Sequence, residues 1–238
     1  VAAGVLDAGK AAVRRFWRPF VLIQLVAVAL VVAYHVDGRV RAVCAALAAW
    51  KTAGGLPLSA ATAAFAGGLL PELAKLVART RGGASRSPFQ GRGREIAFNV
   101  VFFSFNGVVV DGLYRLLARL FGTGTDPATV VAKMAFDQFV FTPPWLVLIT
   151  ALYLWRARAF SGVAVRAAFS RGLGAYARAR VLPLLLPDWA FWIPMMCVVY
   201  AFPLALQFLL FILALAAWSL IMVVIAGGEA SADASPDA

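Results

Sequence analysis

The feature that most restricts how this chain can fold is a series of apolar runs about as long as a bilayer is thick, with clusters of arginine between them. From Phe139 to Trp155 no residue is charged, and the run closes on Trp155-Arg156, an aromatic and then a cation, the order expected where a helix leaves lipid for water. In a water-soluble core one such run would be a buried helix. Here 63% of the 238 residues are hydrophobic and 14% charged, well beyond the roughly 45 to 50% apolar content of soluble domains. The chain is therefore read as an all-α integral membrane helical bundle, one multi-span unit rather than two domains.

A net charge of +11, from 22 Lys and Arg against 11 Asp and Glu, is then a statement about topology. Lys10, Arg14, Arg15 and Arg18 precede Phe20–Tyr34; Arg79, Arg81, Arg86, Arg92 and Arg94 precede Ile96–Leu113; Arg156, Arg158, Arg166, Arg171, Arg178 and Arg180 follow Trp155. Basic residues gather on the side from which helices are inserted, so these three groups share one side and the acidic C-terminus is expected on the other after five crossings. Arg39, Arg41 and Lys51 fit that alternation less well. Nucleic-acid binding is not expected, because no polar, aromatic-rich domain accompanies the charge. Cys44 and Cys197 are far apart and lack metal-ligand spacing, which argues against a disulfide framework or a zinc site.

Three segments follow: 1–49, an N-terminal extension with an extra membrane helix; 50–227, a four-span bundle; and 228–238, an acidic disordered tail with Glu229, Asp233 and Asp237. The basic start and apolar Phe20–Tyr34 also fit a signal peptide or an organellar transit sequence, and a first residue Val1 suggests that the natural start is missing. Arg39–Gly55 reads as an interfacial helix stopped by Gly54-Gly55, with Pro57 opening the next element. Ser59, Ala63 and Gly67 lie on one helical line, the spacing that lets membrane helices approach closely. Gly122–Pro127 is a turn in which Asp126 caps the following helix. Pro143-Pro144 should kink or interrupt that helix. Arg156–Arg180 is expected to hold an interfacial helix, and the apolar run after Pro187 to break near Pro194 or Pro203, with a span from Phe202 to Val224.

Against this apolar background the intramembrane polar residues carry the function. Lys133, Asp137 and Gln138 stand at the entrance to Phe139–Trp155; Asn106 and Asp111 lie in Ile96–Leu113; Glu72 closes the helix before it. Ionisable groups at that depth are costly unless paired, so they either tie helices together or line a polar path. Asp111 and Arg115, like Lys133 and Asp137, are spaced for a pair one turn apart, and Glu72 for Lys75 or a cation on another helix. His35, the lone histidine, has no candidate partner for chemistry.

Several marks resemble the Mpv-seventeen/peroxisomal-membrane-protein-twenty-two family of small four-span organellar proteins. The family's K-x-x-x-D-Q-x-x-x-x-P appears intact as Lys133, Asp137, Gln138 and Pro143, and its G-P-x-x-x-x-W-Y-x-x-L in part as Gly107-Val108 and Leu113-Tyr114-Arg115-Leu116-Leu117. Pro57, Gly68, Glu72 and Lys75 stand at its proline, glycine, aspartate and glutamine positions, and Arg92-Gly93-Arg94 at its basic entry to the second span. Trp192, Pro203 and Trp218 keep later spacings, whereas Met195, Val198 and Gln207 replace a glutamine, an asparagine and an arginine. The resemblance covers about Trp50 to Ala226. It implies a membrane protein without enzymatic activity or cofactors, in a mitochondrial inner, peroxisomal, plastid or bacterial inner membrane, proposed for some members to form a weakly selective pore. It marks Lys133, Asp137, Gln138, Tyr114, Glu72 and Arg94 as family positions.

Two readings stay open. In the first the chain is a channel, with Lys133, Asp137, Gln138, Asn106 and Asp111 lining a polar seam between the second and third spans. In the second the same groups hold helices together in a structural or partner-binding subunit, whose partners are the lipid bilayer and other membrane proteins or further copies of itself. An intramembrane enzyme is disfavoured: Asp111-Gly112 and Arg115 resemble the start of a lipid phosphotransferase motif, but its later aspartates are missing.

Overall fold

The computed structural model describes the backbone of residues 2–81 and 92–233 and the side chains of residues 17, 18, 20–77 and 92–220. Arg86, Asp237 and the side chains of Lys10, Arg14, Arg15, Arg79, Arg81, Glu229 and Asp233, all named above, lie outside the described residues. Among those described there is no strand. The helices are α1 (Ala2–Val36), α2 (Gly38–Ala63), α3 (Leu70–Arg81), α4 (Gly93–Phe121), α5 (Pro127–Ala135), α6 (Thr142–Ala157), α7 (Gly162–Phe169), α8 (Leu173–Tyr176), α9 (Leu182–Tyr200) and α10 (Leu204–Asp233). Single π-helical turns, Ala64–Leu69, Phe136–Phe141 and Ala177–Val181, join α2 to α3, α5 to α6 and α8 to α9 into continuous rods.

Each of these wide turns ends two residues before a proline: Pro71, Pro143 and Pro183. In an α-helix a proline ring collides with the carbonyl four residues back and leaves it without a donor. In all three rods the residue just before the proline (Leu70, Thr142, Leu182) instead bonds five residues back, to the carbonyls of Phe65, Asp137 and Ala177. The extra residue in the turn widens the ladder ahead of the ring. Pro143-Pro144 was expected to kink or interrupt its helix; the helix runs on to Ala157 by way of the π turn.

Four rods are long and apolar enough to cross a membrane: Gly38–Val77, Gly93–Phe121, Pro127–Ala157 and Leu173–Tyr200. Phe20–Val36 and Leu204–Leu220 are shorter apolar helices. The protein is an all-α membrane protein, and its C-terminal half differs in detail from the sequence reading. The run after Pro187 breaks at Pro203 and passes helically through Pro194, while residues from Leu173, expected in an interfacial segment, already belong to the rod that ends at Tyr200. Of that segment, only Gly162–Phe169 stands as a separate short helix.

The chain forms two compact units. One holds residues 1–33 and 121–202. There α9 packs on α5 and on the π turn Phe136–Phe141, and α6 packs on α7 and the turn Ala177–Val181. Its core gathers Leu146, Tyr176, Val181 and Leu185; Phe169 stacks on Tyr176 at 4.0 Å between ring centres, and the Tyr176 hydroxyl donates to Thr150 Oγ1 at 3.0 Å. Within the same unit α1 is fastened to α9 by Gln24 Nε2, which donates to the Phe191 carbonyl at 2.8 Å, and by an edge-to-face contact of Phe20 with Phe191.

The other unit holds residues 34–120 and 203–238. Here α10 packs on α2, on the turn Ala64–Leu69 and on α3. The small-residue line does what its spacing predicts. A Cβ on Gly107 of α4 would strike the Ser59 carbonyl and the Ala63 methyl of α2, one on Gly67 would strike the Phe103 ring, and one on Gly68 would stand 3.2 Å from the Val100 backbone. Where the sequence places glycine and alanine opposite one another, the two backbones come nearly into contact.

Candidate functional site

The expected polar residues are buried, and they divide between the two units. In the unit of residues 34–120 and 203–238, Gly54-Gly55 bends α2 without ending it. Gly55 adopts φ 54° and ψ −146°, a conformation open to glycine and costly for residues with a Cβ. The bend presents the Gly55 carbonyl to Ser59 Oγ at 3.1 Å and to Lys51 Nζ at 3.5 Å. The Lys51 ammonium also lies 3.2 Å from Asp111 Oδ1 and 4.8 Å from the centre of the Phe208 ring. The other oxygen of Asp111 takes Arg115 at 3.0 Å, the pair expected from spacing. Lys51 was read as the end of an interfacial helix, yet it is 5% exposed and lies within a 40-residue rod.

A second ion cluster in this unit closes on Glu72, which is 1% exposed. Lys75 lies 2.7 Å from one of its oxygens and Arg92, at the foot of α4, 3.1 Å from the other; Arg92 also reaches Glu95 at 3.1 Å. Both partners considered from sequence, local and distant, are used. Asn106 and Tyr114 are buried in α4, with Tyr114 edge-on to Phe211 of α10. Arg94, the remaining family position, lies in the first turn of α4.

Lys133, Asp137 and Gln138 belong to the other unit. Lys133, buried to 1% exposure, turns its ammonium to the Gly124 carbonyl at 3.4 Å, and the Lys133–Asp137 pair suggested by spacing does not form. The physical reason is the π turn: the register changes at Phe136, between the two residues, so an i, i+4 relation no longer sets them on one face. Asp137 instead accepts from the Tyr200 hydroxyl at 2.6 Å, and the Gln138 side chain lies close to it. Pro143 has no N–H to offer the carbonyl five residues back, which is that of Gln138. Trp189 Nε1 supplies the missing donor at 3.1 Å.

Asp188, the neighbour of Trp189, feels the charge of Asp137. Its Oδ2 is fully enclosed without a hydrogen-bond partner, and so is Gln138 Oε1. Sequence reading passed over Lys51, Asp188, Trp189 and Tyr200. A lysine four residues ahead of a glycine break and an aspartate inside an apolar, proline-rich run were the available signals.

Outside the rods, Asp126 caps α5 as expected. Its carboxylate accepts from Thr129 Oγ1 at 2.7 Å and from the Thr129 amide at 3.0 Å, which holds it below the ordinary aspartate range. Among the described residues no group of three or more His, Cys, Asp or Glu side chains gathers as a metal centre. No family model matches the chain, and no curated protein or solved structure matches it.

Proposed function

We propose that this membrane protein is channel-like, passing small solutes along a polar route beside Asp137, and that it performs no covalent chemistry. One contrast carries the reading. Glu72 and Asp111 each close on two cations, as carboxylates kept for holding helices together do. Asp137 and Asp188 have no ion pair among the described residues, although both lie in apolar rods. A buried carboxylate without a counter-charge is several kcal/mol unfavourable, roughly, and at membrane depth marks a path for ions or protons more often than a strut. The π turn beneath Asp137 adds support, since such turns recur at functional positions.

The resemblance of Lys133, Asp137, Gln138 and Pro143 to the Mpv-seventeen/peroxisomal-membrane-protein-twenty-two motif supports the same reading, together with an organellar membrane as its location. Purified protein in liposomes tests it. Asp137→Asn should change conductance or ion preference, and flux per folded molecule identical to the parent overturns the proposal.

The second reading is a structural or partner-binding subunit, and the unit of residues 34–120 and 203–238 favours it. There the charges are satisfied internally and glycine lets helices touch. On that reading Asp137→Asn lowers the folded yield, and neither protein conducts.

A further inference from the structure

We propose that Asp188, Asp137 and the side-chain carbonyl of Gln138 form a binding site for a monovalent alkali cation. Three observations converge on it. First, the packing of α9 on the π turn, with the Trp189 indole fixed 3.1 Å from the Gln138 carbonyl, holds residue 188 beside residues 137 and 138. Second, two acceptor oxygens there, Asp188 Oδ2 and Gln138 Oε1, are enclosed and receive no hydrogen bond. Gln138 is 3% exposed and its side chain lies close to Asp137, with its carbonyl oxygen left without a donor. Third, among the described residues no cation pairs with either carboxylate, and Arg18, Arg178 and Arg180 on the neighbouring α1 and the turn Ala177–Val181 are exposed. Between Leu182 and Tyr200 there is no Lys, Arg or His, the π turn Phe136–Phe141 has none, and Lys133 of α5 is turned to Gly124.

Hard oxygen ligands of this kind, carboxylate and amide carbonyl, suit alkali and alkaline-earth cations rather than soft metals. Charge decides between the two groups. Two neighbouring carboxylates in an apolar site share one proton, so a single negative charge remains and one positive charge balances it; Asp137 keeps the Tyr200 hydroxyl, while Asp188 Oδ2 is left without a donor. Magnesium would in addition need several waters in octahedral array, and the residues that flank Asp188 in sequence, Leu184–Pro187 and Ala190–Pro194, are apolar. A proton on Asp188 would neutralise the same charge, and the test separates the two.

The site uses the carboxylates on which the channel reading rests, so binding is measured at equilibrium, without a gradient. The full chain in nanodiscs is titrated with NaCl against choline chloride at constant ionic strength, at pH 8.0 and pH 5.5, following the thermal midpoint and tryptophan emission. Sodium, and not choline, should raise the midpoint saturably at pH 8.0 and change emission through Trp189. Asp188→Asn should abolish both effects, and Gln138→Leu should weaken the apparent affinity at least about tenfold, as the loss of one oriented ligand does. If Asp188→Asn does not fold, the Gln138→Leu titration decides. A midpoint indifferent to cation identity, a response retained in Asp188→Asn, an unchanged affinity in Gln138→Leu, or stabilisation by acid alone each overturns the site. Cation binding without flux would remove the channel and leave the site; flux without cation-specific binding would remove the site and leave the channel.

Discussion

Lys51 and Asp111, sixty positions apart in the chain, meet at 3.2 Å beside the bend at Gly55. The bend and the pair depend on one another. Gly55 leaves the helical path and its carbonyl needs a donor; Lys51 supplies one, and Asp111 balances the charge that Lys51 carries into the interior. Broken membrane helices are stable where side chains satisfy the freed backbone, and here the Lys51 ammonium shares this with the Ser59 hydroxyl while also joining α2 to α4.

Removing Lys51 should therefore be expensive, because Asp111 would be left with Arg115 alone. Lys51→Met is expected to lower stability by about 3–5 kcal/mol, the usual penalty for breaking a buried pair. Asp111→Asn in the same chain should recover part of it. Thermal unfolding of the two single variants and the double variant measures the coupling, and additive losses would refute the pairing.

Much of this arrangement was legible in the sequence where partners are near neighbours. Asp126 before Pro127, Asp111 with Arg115 and Glu72 with Lys75 follow from local spacing, and each takes the expected form, whereas Gly54-Gly55 bends its helix where a stop was expected. What stayed hidden depends on distant contacts or on a changed helical register. Lys51 has no acidic neighbour on its own helix, so nothing local marks it as buried. Lys133 and Asp137 obey an α-helical rule that the π turn cancels. Trp189 and Tyr200 read as apolar bulk, although each reaches residue 137 or 138 through a single polar atom.

Gly107 and Gly112 lie in the same helix and should respond differently to alanine. At Gly107 the new methyl would strike Ser59 and Ala63; at Gly112 nothing stands within 4 Å. Gly107→Ala is expected to destabilise by about 1–3 kcal/mol, as overpacking does. Gly112→Ala should be neutral, or stabilising by roughly 0.5–1 kcal/mol through the better helix propensity of alanine. Equal effects at the two positions would contradict the close approach of α2 and α4.

The Trp189 indole serves a carbonyl that Pro143 leaves without a donor. Trp189→Phe keeps most of the ring and loses the N–H, at an expected cost of about 1–3 kcal/mol for an unsatisfied buried acceptor. Pro143→Ala restores a backbone N–H, so the same tryptophan change should cost less in that background. A penalty that is the same with and without Pro143 would show that the two are unrelated.

Asp126 predicts a pH dependence whose sign follows from its hydrogen bonds. Thr129 stabilises the ionised carboxylate, so its value in the folded chain lies below that in the unfolded chain. The contribution is fully present above the ordinary aspartate value and is lost as pH falls through the lower, folded one. Asp126→Ala should unfold at a lower temperature than the parent at pH 7, and the two curves should converge in acid below about pH 4. A gap that does not change with pH would mean that the cap acts through shape and not through charge.

The rod Pro127–Ala157 sets a test of orientation that needs only one helix. Its 31 residues extend about 46 Å, close to the full thickness of a bilayer with its headgroups. Before it lies Gly122–Asp126, which has no cation; after it come Arg158, Arg166 and Arg171. The arginine end should face the compartment from which the helix was inserted. With Cys44 and Cys197 changed to serine, the exposed positions Thr123 and Ser170 can each carry a single cysteine, in protein made in a bacterial inner membrane. An impermeant maleimide added to spheroplasts should label Thr123→Cys at once and Ser170→Cys only after lysis. Labelling of both from one side would mean that this helix does not cross, and the polar residues at its entrance would then lie at a surface and not within the membrane.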